Sequence, residues 1–179
     1  MRRFAVLLLV GLLTGCTSTD PTPAPPSQVP SSAGSSAGDL ASHTPTELRQ
    51  PCTAVPANYA SRVLGRTVAA QVVHVAANAR KKACRYGDLA DITSYPDVRS
   101  LTNLVALYLG PERLTHHPVD VPGSDGAEVV LDDETSTVTL FAKQGFVTHT
   151  VVVRIGSVGP AEKAAVSLAT RLVQANRPE

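Results

Sequence analysis

The sequence predicts an α+β fold: an antiparallel β-sheet packed by a short N-terminal helix and a C-terminal helix, with one disulfide. Three observations carry this reading. Thr137 to Ala142 and Phe146 to Ile155, turning at Lys143-Gln144-Gly145, form the clearest hairpin. After Pro160, the residues Ala164, Ala165, Leu168, Ala169, Leu172 and Val173 recur at helical spacing and make one apolar stripe. Cys52 and Cys84 form an even pair in a chain whose start reads as an export signal, and such a pair favours a structural bridge.

The elements follow in order. Pro56 to Leu64 reads as a short helix stopped by Gly65, which suits a left-handed C-cap. Val68 to Ala76 is valine-rich and reads as a strand. A second short strand runs through Cys84, Arg85 and Tyr86, so the disulfide clips helix to sheet. The bridge closes a loop of about 33 residues, worth about 3.7 kcal/mol on chain-entropy arithmetic. Redox pairs ordinarily sit as Cys-x-x-Cys, and this pair does not. In Leu101 to Leu109 the odd positions are apolar except Asn103, which favours a strand, although Asp97 ahead and Gly110-Pro111 behind would also frame a helix. Ala127 to Leu131 is a short apolar segment of either type. Thr137 to Ala142 and Phe146 to Ile155 form the hairpin, and the last helix runs from Pro160 to about Ala175.

The folded part occupies residues 46–179, a length that suits a single domain. Ahead of it, Arg2 and Arg3 precede an apolar run from Phe4 to Leu13, too short to span a bilayer but right for the core of a secretory signal. Leu13-Thr14-Gly15-Cys16 then matches a bacterial lipobox, with small residues before the cut and the thiol that receives a diacylglyceryl group. Residues 1–15 are thus read as a lipoprotein signal peptide, and Cys16 as the lipidated first residue of the mature chain. Two acyl chains make such an anchor effectively stable. Residues 16–45 are nearly all Ser, Thr, Pro, Ala and Gly and cannot bury enough apolar surface to offset ordering, so they read as a disordered tether. Its reach is roughly 30 Å. The expected location is the extracytoplasmic face of the cell membrane, with the membrane itself a partner through Cys16.

Charge narrows the partners further. The whole chain has a formal net charge of +1, which leaves no electrostatic footprint for nucleic acid. Loss of Arg2 and Arg3 takes Lys+Arg from 16 to 14 against 15 acidic residues, so the mature chain is near −1. A basic patch is therefore not the main membrane anchor.

The lipobox, the Ser/Pro linker, Pro51-Cys52, Cys84-Arg85-Tyr86, Gly123-Ser124-Asp125-Gly126-Ala127 and the hairpin through Gly145 together resemble the small actinobacterial envelope lipoproteins of unknown function. That resemblance implies the membrane location and the disulfide and supplies no catalytic residues. Similar α+β architecture occurs in extracellular sensor domains of actinobacterial receptor kinases, which implies sensing or ligand binding.

Several residue groups invite a chemical reading. His116 and His117 adjoin, with Asp120 three positions on, but zinc needs three or four converging ligands, and Pro111 and Pro118 make the segment read as a solvated loop. By alternation His149 shares a strand face with Val147 and Val151, where it either lines a pocket and titrates near neutrality or sits as a satisfied strand histidine. His74 lies in a valine-rich strand in the same way. Asp132-Asp133-Glu134 has turn composition and no second acidic cluster to complete a calcium loop. Arg80, Lys81 and Lys82, with Arg85, form a basic cluster near Cys84 that either touches anionic headgroups or wall polymers or is a charged loop. No Gly-x-Ser-x-Gly elbow occurs, and Ser157 in Gly156-Ser157-Val158-Gly159 reads as a connector. No catalytic residue, cofactor or metal is implied. The expectation is a non-enzymatic, lipid-anchored module that binds or senses a small molecule, a lipid or an envelope protein. The alternatives are a structural surface protein and a small hydrolase that uses His116, His117 or His149.

Overall fold

The structure, a computed structural model, describes residues 48–75, 80–109 and 114–177. The signal segment, Cys16 and the tether lie outside the described residues. The described residues all fall in one compact unit.

The unit is α+β, a seven-stranded antiparallel sheet with helices. The elements are α1 (Pro51–Ala54), α2 (Ala57–Leu64), β1 (Ala70–Val73), β2 (Lys82–Tyr86), β3 (Ala90–Pro96), α3 (Leu101–Leu109), β4 (Thr115–Pro118), β5 (Gly126–Asp132), β6 (Thr137–Gln144), β7 (Val147–Val153) and α4 (Val158–Ala175). Strand order is β1-β2-β3-β7-β6-β5-β4, and every pairing is antiparallel.

One face of the sheet carries Cys84, Tyr86, Ile92, Val129, Val138, Leu140, Val151 and Val153. The α4 stripe of Ala161, Ala165, Leu168, Ala169, Leu172 and Val173 lies on it with every member fully buried. That stripe spans the width a core-facing helix presents. Pro160 stands in the first turn of α4, two residues after its start, where its missing N–H leaves no intrahelical bond unmade. At the β1 side, α1 and α2 complete the cover. Tyr86 donates its hydroxyl to the Val55 carbonyl at 2.5 Å, and Cys52 bridges to Cys84 with the two Cα atoms 5.2 Å apart. The bridge therefore ties the first helix to β2, next to the edge of the sheet, as the sequence leads one to expect. Gly65 ends α2 at φ +68°, a left-handed conformation that favours glycine.

The opposite face is covered differently. Among the described residues only α3 lies on it, through Leu101, Val105 and Leu109 against Val130 and Phe141. Tyr108 packs edge-on to Phe141 at 5.3 Å and shares a hydrogen bond with Thr139.

Four local expectations are corrected. Leu101–Leu109 is a helix rather than a strand. Its apolar residues also fit i, i+3, i+4 and i+8 spacing, and Ser100 caps its start by accepting from the Asn103 N–H at 3.3 Å. The 116–117 segment is an edge strand rather than a loop, and Pro118 is tolerated because β4 pairs on one side only. The valine-rich strand is shorter than 68–76: it spans Ala70–Val73, and the positions from 76 lie outside the described residues. Strand β3 is absent from the sequence reading. Its buried positions are Ala90, Ile92 and Ser94, and two of the three are too small or polar to signal a strand.

Candidate functional site

Hairpin tips, a helix lead-in and the domain's first residues meet at one end of the sheet. β6 and β7 join through the two-residue turn Gly145-Phe146, where Gly145 has φ +56°. A positive φ at the first central position fits a tight hairpin, and the Gly145 N–H donates to the Asp125 carboxylate at 2.5 Å. This fixes Phe146 at the outermost point of the hairpin, 70% exposed. The Phe146 carbonyl accepts from the Asp97 N–H at 2.7 Å, which brings the end of β3 alongside.

There the chain turns sharply into α3. The buried Asp97 carboxylate accepts from the Arg99 N–H at 2.9 Å and from its guanidinium at 3.0 and 2.6 Å. Arg99 thereby holds the Asp97 carboxyl below the usual carboxylate range. The Lys143 ammonium donates to the Asp97 carbonyl at 2.6 Å, and burial lowers its pKa. Val98, at the crest between the clasped residues, is pushed into solvent at 88% exposure. Beside it the Lys81 ammonium sits 5.0 Å over the Tyr95 ring, a cation–π arrangement that leaves the charge at the rim. Lys81, Tyr95, Asp97, Val98, Arg99 and Phe146 enclose an open hollow of about 400 Å³. A second hollow of about 260 Å³ shares Lys81 and extends past Lys82, His74 and Val75 to Gln50. Leu48, the first described residue, also lies here, for the Lys82 ammonium donates to its carbonyl.

The other sequence candidates fall elsewhere. His116 and His117 point to opposite faces of β4. His116 Nδ1 lies 3.2 Å from Glu128, while His117 Nε2 lies 3.1 Å from Glu162 on α4. No group of three potential metal ligands forms among the described residues. Asp132 accepts from the Glu134 and Thr135 N–H groups at 3.1 Å and from the Thr135 hydroxyl at 2.6 Å, which lowers its pKa and makes Asp132–Glu134 a self-bonded turn. Ser157 precedes α4 and makes no side-chain cap bond. Arg80 is exposed beside the second hollow's Lys81.

His149 is fully buried. Its Nε2 lies 3.2 Å from Gln144 Oε1 and its Nδ1 2.9 Å from the Ser94 hydroxyl. Gln144 Nε2 donates to the Val173 carbonyl at 3.2 Å, which turns its oxygen toward the histidine. We therefore assign the ring proton to Nε2 and let Nδ1 accept from Ser94. Burial pushes the His149 pKa down to about 4, so the ring is a neutral bridge between β3, β6, β7 and α4. The Ser94–His149 contact has the residue types of a nucleophile–base pair, yet both side chains are closed to solvent.

The sequence reading singled out Lys81 and Lys82 but missed Val98, Tyr95, Asp97 and Arg99. A signal was present at Phe146, an aromatic directly after a turn glycine, where no core is in reach. Val98 between Asp97 and Arg99 carried a similar signal.

No protein-family model matches the chain, and no curated protein matches it. Among solved structures, a GTP binding regulator from Thermotoga maritima is similar at a TM-score of 0.36 and 10% sequence identity, covering 72% of this chain and 95% of that one. A likeness this slight carries no argument about fold or function.

Proposed function

We propose that this chain is a lipid-anchored protein of the bacterial cell envelope whose extracytoplasmic domain is a non-enzymatic binding module, acting through the end of the sheet that carries Phe146 and Val98. The observation that carries the binding role is the exposure of these two apolar side chains, 70% and 88%, at a hollow rimmed by Lys81 and Arg99. Rigid turns hold both in place, and nothing in the domain's packing calls for them there. The anchor is supported by the Leu13-Thr14-Gly15-Cys16 motif, and the disulfide agrees with an oxidising location.

Two measurements on cells test the two parts separately. Mass spectrometry of the membrane fraction should find an N-terminal peptide that begins at Cys16 and carries a diacylglyceryl group; an N-terminus without lipid overturns the anchor. A photoreactive side chain at position 146 should give a discrete adduct, whereas the same group at Asp133, in the turn at the opposite end of the sheet, should give none. Equal labelling at both positions overturns the binding role of this end.

A further inference from the structure

We propose that the partner of this sheet end is an anionic lipid surface, into which Phe146, Val98 and Val75 dip while Arg80 and Lys81 meet the headgroups. The proposal rests on the anchored reading above for the nearness of a bilayer.

The apolar residues stand on three separate segments beyond the strand ends. Val75 follows β1, Val98 precedes α3 and Phe146 caps the β6–β7 hairpin, with exposures of 38%, 88% and 70%. A single exposed apolar side chain is ordinary. Three of them, on neighbouring tips at one end of a sheet, form the apolar half of an interfacial surface. The basic half surrounds them. Arg99 is neutralised by Asp97, Lys143 is turned inward to the Asp97 carbonyl and Lys82 is held at the Leu48 carbonyl. The outward charge is therefore that of Arg80 and Lys81. Tyr95, beneath Lys81, adds a ring with an apolar body and a polar tip at the same level.

The hairpin turns at the far end carry Asp88, Asp132, Asp133 and Glu134. The β4–β5 loop puts Asp120 and Asp125 at the Phe146 end, Asp125 tied to the Gly145 N–H, but Arg80, Lys81, Lys82 and Lys143 outnumber them there, which favours this end at a negative surface.

The path of the chain agrees. The described chain begins at Leu48, whose carbonyl is held by Lys82 at the start of β2, on the same end as Phe146. Residues 17–47 separate Cys16 from Leu48, and read as the tether of the sequence analysis they would span roughly 30 Å. On that reading a bilayer that holds Cys16 is within reach of the end where Leu48 lies.

The chain contains no tryptophan, so the indole of F146W is a single reporter. The test uses the full-length protein isolated from its membrane and reconstituted in vesicles of phosphatidylcholine with or without phosphatidylglycerol, some with brominated acyl chains. D133W reports on the far end. Docking predicts that F146W emission moves to shorter wavelength and is quenched by the brominated chains in anionic vesicles, while D133W emission stays solvent-like. Replacing Arg80 and Lys81 by glutamine should reduce the docking equilibrium constant about 25-fold, roughly fivefold for each base at an anionic surface. Added salt should act in the same direction. If the indole at position 146 stays as wet as the one at position 133 while the protein still floats with neutral vesicles, docking is overturned and the anchor stands. If the protein does not float with neutral vesicles and Cys16 carries no lipid, the anchor falls, and F146W emission with anionic vesicles still decides docking. If position 146 is shielded in envelope extracts but never in vesicles, the edge is a protein interface and the proposal is wrong.

Discussion

The two faces of the sheet are built from the same strands, yet one is a core and the other is mostly surface. Toward α4, the strands offer Ile92, Leu140, Val138, Val151 and Val153, all at 0% exposure. Away from α4, the same strands offer Asp91, Thr93, Thr139, Thr150 and Val152, and α3 covers only the part over β5 and β6. Antiparallel sheets tolerate this, since one face suffices for a core. Stability is thus concentrated between the sheet and α4. The turns at the Phe146 end hang from that core without belonging to it, so their sequence answers to what they touch outside the domain.

The sharpest way to break this comparison is to cut an apolar side chain on each side. Leu168→Ala removes a fully buried side chain from the centre of α4 and should cost about 2–5 kcal/mol through lost burial and the cavity left behind. Phe146→Ala removes a larger side chain yet should change stability by no more than about 0.5 kcal/mol. Urea unfolding of both variants checks the pair. Comparable losses would mean that Phe146 is part of the core and not a contact surface.

The next effect is a pH dependence confined to the α4 side. His149 has a folded pKa lowered to about 4 from an ordinary value near 6.5. Below pH 6.5 the unfolded chain takes up a proton that the folded chain refuses, so stability falls as the pH drops toward 4, by up to about 3 kcal/mol. Asp97 and Asp91 have lowered pKa values, so their contribution is lost only as the pH falls through the acid carboxylate range. Between 4 and 6.5 His149 therefore contributes a slope that these carboxylates do not. His149→Gln should flatten stability across that interval, although the variant is less stable at neutral pH. An unchanged slope would show that the ring is protonated in the fold and that the Ser94–His149–Gln144 chain is wrongly assigned.

How much of this was legible in the sequence follows the same division. The α4 stripe and the β6–β7 hairpin were plain because both repeat apolar residues against one large face. The Cys52–Cys84 bridge was plain because two cysteines form an even pair behind a segment that reads as an export signal. Leu101–Leu109 misled because its short apolar run fits periods of two and of 3.6, and only the packing of Leu101 and Val105 on Phe141 decides between them. β3 was hidden because its neighbours supply the apolar partners that Ala90 and Ser94 lack. The basic half of the candidate edge was legible as Arg80 and Lys81. Its apolar half was not, for Val98 and Phe146 are brought together by the Asp97 N–H and Phe146 carbonyl, a bond between residues far apart in the chain.

The smallest effect sharpens the comparison on the open face itself. Asp91 accepts from Arg85 at 2.8 Å and from Arg154 at 2.9 Å, and these pairs hold its pKa down. Both arginines are about half exposed, at 54% and 43%. Exposed pairs contribute little because water screens the attraction and two long side chains lose freedom. Asp91→Asn should thus cost no more than about 1 kcal/mol, a loss that shrinks in high salt. Thermal unfolding at low and high salt separates the outcomes. A loss as large as that of Leu168→Ala, and insensitive to salt, would mean that the open face is shielded from water in the folded protein. The contrast between the faces would then lie in what covers each one, not in whether it is covered.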